Sequence, residues 1–189
     1  MEVLAGALLY YRDTLEGVKS ILMQDHNNQQ VQPSMTRADI QAVINKCPWL
    51  SAFGAYFPRL WYKYPLEERE ERFLEDQQEL LNLEKECTHV CRWLSDLEKI
   101  KTMNQNSYNL KHMVERDRDV YISNGAFIAA AIHMGFHFKR IVDCPNVDFG
   151  ISHRSMKERE KRERARGNPR YKNVFTRYTS IKDLRNGRI

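Results

Sequence analysis

Residues 65–104 read PLEEREERFLEDQQELLNLEKECTHVCRWLSDLEKIKTMN, with no glycine and no proline after Pro65. Leu66, Phe73, Leu80, Cys87 and Leu94 recur at every seventh position, and Leu83, Val90 and Leu97 fill a second seam beside them. This spacing predicts one long helix over 65–104. The two-seam pattern is complete only over 80–97. In the first half the second seam position is polar, and Glu67, Glu68, Glu70, Glu71, Glu75, Asp76 and Glu79 crowd the surface, so that half is expected to be bathed in solvent. The second half needs a cover. Leu83, Val90 and Leu97 are therefore candidate interface residues, facing either an antiparallel N-terminal helix or the same seam of a second copy.

Upstream, Leu4, Leu8, Tyr11, Leu15, Val18 and Leu22 alternate spacings of four and three, which places all six on one helical face. Residues 25–33, DHNNQQVQP, have no period and read as a connection. Thr36 with Asp39 three residues later resembles a capping box that opens a helix running to Lys46, before Pro48. Between 48 and 64 stand seven aromatics in seventeen residues (Trp49, Phe53, Tyr56, Phe57, Trp61, Tyr62 and Tyr64) with Arg59 and Lys63 but no acid. Such a patch is a core layer or a docking face, with Trp61 as its interface candidate, or a platform on which unpaired bases stack.

Downstream, Ser107 can cap a short helix carrying Leu110, Met113 and Val114, and Ser123 can cap a second over 124–134, apolar almost all round and ended by Gly135. Residues 136–142 and 147–151 alternate at period two on either side of Asp143-Cys144-Pro145-Asn146, a β-hairpin signal. Residues 151–189 hold 13 Lys and Arg against four Asp and Glu, a net of +9 that leaves −4 for the first 150 residues. The fold class expected is mainly α: a helical bundle or hairpin with one long helix, a small α+β unit of two helices and a β-hairpin, and a basic C-terminal tail. The corresponding division is 1–106, 107–152 and 153–189.

Composition excludes several classes. The chain has 189 residues, 42% hydrophobic and 29% charged, with 8 Gly and 6 Pro, which is globular rather than fibrous or low-complexity. Four scattered cysteines do not make a disulfide framework. No basic leader precedes the apolar run 3–11, and that run is far shorter than the ~20 residues a membrane helix needs. A cytoplasmic protein without a membrane partner is expected.

The order helix, helix, hairpin over 107–151 is that of a winged helix-turn-helix. Its second helix, however, offers no Arg, Lys, Asn or Gln between Ala126 and Met134 for base edges. A packing unit is the better expectation. Cys87 and Cys91 lie one turn apart, but Cys87 falls on the heptad seam and no second metal-type pair follows, so both read as core residues. His133 and His137 are separated by the helix-ending Gly135. In the run Glu115-Arg116-Asp117-Arg118-Asp119 the arginines compete for the carboxylates, which reads as a solvated loop. No phosphate-cradling loop or nucleophile elbow is present, and no enzyme, metal or cofactor is expected.

The stretch SYNLKHMVERDRDVYISNGAFIAAAIHMGF, with DCPNVDFGIS after it, resembles segments of small uncharacterised proteins of bacteriophages and bacterial mobile elements. That resemblance covers residues 107–153 and implies an accessory or anti-defence role exercised by binding. It carries no site residues with it. The basic C-terminal region supplies those: Arg164, Arg166, Arg170, Lys172 and Arg177 with Tyr171, helped by Lys111 and Arg116, have the chemistry to neutralise phosphates and stack on bases of DNA or RNA. The alternative partner is a protein, met as an inhibitor or adaptor that self-associates through the long helix as a homodimer.

Overall fold

A computed structural model describes residues 32–56, 64–168 and 171. The N-terminal stripe from Leu4 to Leu22, Trp61, Arg170, Lys172 and Arg177 lie outside the described residues. Those described hold six helices: α1 (Arg37–Lys46), α2 (Leu66–Leu80), α3 (Glu84–Leu94), α4 (Ser107–Arg118), α5 (Asn124–His133) and α6 (His153–Ala165). Five short strands join them: β1 (Leu50–Ser51), β2 (Gly54–Ala55), β3 (Gln105–Asn106), β4 (Phe138–Arg140) and β5 (Val147–Phe149). The helical majority with small antiparallel sheets is a mixed α+β fold.

Helix α1 starts as its capping box requires, Thr36 accepting from the Asp39 amide while the Asp39 carboxylate accepts from the Thr36 amide at 2.9 Å. The single helix expected over 65–104 is corrected here. It is two helices, α2 and α3, separated by a turn at Leu81, Asn82 and Leu83, and regular helix ends at Leu94. A tertiary clasp fixes the break: the Arg37 guanidinium donates to the Leu81 carbonyl at 3.2 Å and to Asn82 Oδ1 at 2.6 Å, and the Arg37 amide donates to Glu84 Oε1. The turn buries Leu80 and Leu81 together and re-aims α3, so that Cys87, Val90, Cys91, Trp93 and Leu94 all enter the core. Beyond Leu94 the chain turns and from Glu98 runs beside the sheet, with Ile100 donating to the Gly150 carbonyl and Ser152 to that of Glu98. A continuous helix would forfeit those ladder bonds. The acidic first half behaves as expected, with Leu80 the buried residue of α2.

The heptad seam is not an intermolecular surface. Val90 is fully buried, Leu97 nearly so, and Leu83 packs on the same core, all within the chain. Helix α3, which carries Val90, packs most extensively on α5. Val90 and Leu97 therefore offer no exposed surface for the homodimer seam expected through them.

Helix α5 is the central element, buried on every side from Asn124 to Ile132. Helices α1, α3 and α4 and strands β1 and β2 pack around it. A helix so enclosed has no face for a DNA groove. Its approach to the β1–β2 hairpin is set by Gly125, whose amide donates to the Ala52 carbonyl at 2.9 Å. A Cβ there would stand 1.9 Å from the Ser51 carbonyl oxygen, so only glycine fits. The hairpin signal of 136–151 is realised as β4 and β5, antiparallel with Phe138 opposite Phe149. The sequence pattern did not announce β3, which pairs with the other edge of β5 to give the order β3-β5-β4. Buried side chains on both sides of residue 106 belong to one cluster running from Met35 to Met156.

Two outcomes test this packing. Val90→Lys places an ammonium where no water reaches and should lower unfolding free energy by about 3 kcal/mol or more in urea denaturation, without changing the mass of the folded protein. The thiols give an independent reading: Cys47, Cys87 and Cys91 are buried and Cys144 is half-buried. Burial pushes Cys91 up to about 11 and raises Cys87 further. In the native protein at neutral pH a thiol reagent should label Cys144 first and the other three only on unfolding.

Candidate nucleic-acid interface

Helix α6 is capped by Ser152, whose hydroxyl accepts from the Ser155 amide, and buries only Met156 and Arg159. Its remaining side chains are exposed or half-exposed. Arg159 is the anchor. Its guanidinium reaches the Trp93 carbonyl at 3.0 Å, pairs with Asp96, and donates through Nε to Asp117 Oδ2 at 3.3 Å. The same Asp117 oxygen accepts from Trp93 Nε1 at 2.7 Å, while Tyr171 donates its hydroxyl to Oδ1. Two cation–π stacks flank the carboxylate, Arg159 over Trp93 and Arg116 over Tyr171, at 4.8 and 4.7 Å from the ring centroids. One buried acid on α4 thus ties together α3, α6 and the chain after α6.

The expectation of a solvated loop at 115–119 is corrected accordingly. These residues are the last turn of α4, closed by Asp119 in the left-handed conformation (φ 58°), and the Asp117 side chain is only 2% exposed. Glu115 is a second hub, accepting from the Ile122 amide at 3.1 Å, Lys111 Nζ at 3.1 Å and His112 Nδ1 at 2.5 Å. Burial pushes the Glu115 carboxyl up, but the Ile122 amide, Lys111 and His112 outweigh it and hold the group below its ordinary value. The sequence signal was present but ambiguous. At about 100° per residue, positions 115 and 117 point to different neighbours, and the alternating arginines conceal that both acids turn inward.

The sequence-predicted contacts divide. Arg164 and Arg166 are exposed at the end of α6, paired with Glu160 at 2.7 Å and Glu163 at 2.8 Å. Lys157 and Lys161, not singled out from sequence, are exposed with no carboxylate at ion-pair distance among the described residues. Tyr171 is corrected: at 1% exposure, with its phenol raised by burial and by the bond to Asp117, it is a structural tether and not a stacking surface. Lys111 is corrected likewise, being buried and committed to Glu115. Arg116 lies on the Tyr171 ring, half-buried.

A groove of about 600 Å³ lies elsewhere, lined by Trp49, Tyr56, Phe73 and Leu66 with Arg69, Glu70 and Arg140. Part of the aromatic segment is thus assembled as a wall, Tyr56 meeting Phe73 edge-on at 4.9 Å and Arg140 stacked over Trp49 at 5.3 Å. Its arginines are occupied: Arg140 donates to the Tyr56 carbonyl and Arg69 to the Tyr64 carbonyl at 2.9 Å. Among the described residues no three His, Cys, Asp or Glu side chains gather as metal ligands, and no helix is long and apolar enough to cross a membrane.

Comparison of the chain with protein-family models, curated proteins and solved structures finds no match.

The Asp117 hub has a measurable energy. Asp117→Asn keeps the shape but leaves the Arg159 guanidinium without one of its two carboxylates and one buried donor without a good acceptor. Unfolding free energy should fall by about 2–4 kcal/mol in urea denaturation. A loss under 0.5 kcal/mol would show that the carboxylate holds nothing.

Proposed function

We propose that this protein is a non-enzymatic nucleic-acid-binding accessory protein that takes phosphates on the outer face of α6 and on the basic residues of the sequence after it. One observation carries this reading. Helix α6 buries only Met156 and Arg159 and is tied further by Arg162 to Asp96 and by Ser155 accepting from the Glu98 amide, which leaves Arg154, Lys157, Lys161, Arg164 and Arg166 exposed along a region whose net charge is +9, on a chain that nets −4 elsewhere. Phosphate neutralisation requires such an array of solvated cations and no particular fold. The pairs Arg154–Glu158 and Glu160–Arg164 orient the side chains without cancelling the excess. Arg170, Lys172 and Arg177 extend the same chemistry, and the likeness of residues 107–153 to phage and mobile-element proteins agrees with an accessory role.

A protein partner is the second reading, favoured by the Trp49 groove, whose arginines already hold its walls and whose rim continues into the acidic face of α2 at Glu67, Glu70, Glu71 and Glu75. The acidic rim disfavours phosphate and suits the protein target of an inhibitor or adaptor.

The two part in one experiment. Deleting everything after residue 152 would remove Arg159 and Tyr171 and with them the Asp117 hub, so substitution is the cleaner probe. Lys157→Glu with Lys161→Glu should weaken binding of a labelled oligonucleotide, followed by fluorescence anisotropy. It should also reduce the slope of log K against log salt by about two units, close to one per lost phosphate contact. An affinity that ignores both salt and these changes would overturn the nucleic-acid reading.

A further inference from the structure

We infer that unpaired bases stack on Tyr108 and Tyr121, which makes the ligand class single-stranded rather than duplex nucleic acid; this rests on the function proposed above. Tyr108 is 50% and Tyr121 73% exposed. These two are gathered around one cation. The Lys111 ammonium lies 5.4 Å from the centroid of each ring, so the rings stand no further apart than twice that distance. Neighbouring nucleotides of an extended strand span such a gap.

The rings are also positioned. Glu115 binds Lys111, the cation shared by both tyrosines, and it accepts from the Ile122 amide directly after Tyr121. It binds His112 as well, whose ring meets that of Tyr108 edge-on at 4.5 Å. One carboxylate thus fixes a lysine, a histidine and the backbone that carries the second tyrosine. Lys111 is buried and its charge is balanced, so its part is to hold the aromatic pair rather than to meet a phosphate. The exposed His112 is the polar group beside the rings.

A further cation of α4 lies beyond the histidine. Arg116 follows His112 by four residues, about 6 Å along the helix axis, and lies over the ring of Tyr171, next to which Arg170 and Lys172 enter the sequence. Aromatic faces beside a track of cations are what sequence-tolerant single-strand binding uses, bases on the rings and phosphates on Lys and Arg. A duplex keeps its base faces stacked on one another and has none to give.

Both tyrosines are exposed, so their removal should leave the fold intact, which a thermal melt verifies. The wild-type chain, the Tyr108→Ala/Tyr121→Ala variant and the Tyr108→Phe/Tyr121→Phe variant would be titrated against labelled single-stranded DNA, RNA of the same sequence, and the corresponding DNA duplex. The expected result is preference for single strands, a loss of about tenfold per ring in the alanine variant, and near-native affinity in the phenylalanine variant. DNA and RNA bound alike fits stacking; a preference between them identifies the sugar. Should Tyr108→Ala lower stability, Tyr121→Ala alone carries the test. Stacking is overturned, with the phosphate surface left standing, if the alanine variant binds normally while Lys157→Glu/Lys161→Glu weakens binding, or if duplex binds as tightly as single strand. No binding by the wild-type chain at low salt overturns both.

Discussion

A carboxylate removed from water is costly unless donors replace the solvent it loses, and the arrangement of α3, α4 and α6 follows from how that cost is met at Asp117. Its oxygens accept from an indole, a guanidinium and a phenol that come from three separate places in the sequence, at 93, 159 and 171. An apolar residue of similar size would pack as well but could not tell α6 which way to face. The acid can, because Arg159 must meet Asp117, Asp96 and the Trp93 carbonyl at once, and only one rotation and one register of α6 allow it. Its basic outer face is a consequence of that inner constraint. The same helix carries a net positive sequence with almost no apolar stripe, so without a polar anchor there would be little to hold it to the body at all.

A second constraint lies at the other end of α4. Asn124, at the start of α5, donates to the Pro145 carbonyl at 2.9 Å and to Asn146 at 3.1 Å, and accepts from the Ser107 hydroxyl at 2.9 Å, which in turn accepts from the Val147 amide. This closes the starts of α4 and α5 on the loop between β4 and β5. Gly54, at φ 130°, lies against the same loop, where the Ala55 amide donates to the Pro145 carbonyl at 2.8 Å and an added Cβ would strike that oxygen at 2.4 Å. The buried core therefore meets backbone polar groups on one side and an ionic hub on the other. Both are satisfied internally, which is the condition for keeping polar atoms inside a core of this kind.

How far the sequence disclosed this depends on the range of the interaction that decides each element. The capping box at Thr36 and Asp39, the all-apolar α5 bounded by Ser123 and Gly135, and the period-two segments of β4 and β5 are local signals, and each is realised where it stands. The break at 81–83 is not local. The heptad continues through it unbroken, and the turn is held by Arg37, more than forty residues away in sequence, and by the burial of Leu80 and Leu81. The candidate site fails the same way. Lys111, Tyr171 and Arg116 were selected for their chemistry, yet a lysine beside Glu115 and a tyrosine that reaches Asp117 spend that chemistry within the protein. Residue type told what each group can bind, and only the fold told whether another group of the chain had already bound it. Tyr108 and Tyr121 carried no period and no motif, and their pairing across Lys111 exists only once α4 has ended and the chain has turned into α5.

Net charge is a poor guide to where such a molecule meets its ligand. At physiological salt a charge is screened over about 8 Å, so a polyanion responds to the cations it touches and not to the chain-wide total of +5. What matters is the sorting. Seven acids stand on α2, where Leu80 is the buried residue and the groove arginines are tied to carbonyls, while α6 turns five cations and three acids around a single buried guanidinium. An acidic surface and a basic one are thus carried by different helices, and on the reading proposed above a nucleic acid would be met by the second. The anchoring of α6 by Asp117 makes its orientation permanent, since rotating the helix to hide its cations would first require pulling Arg159 off its buried carboxylate.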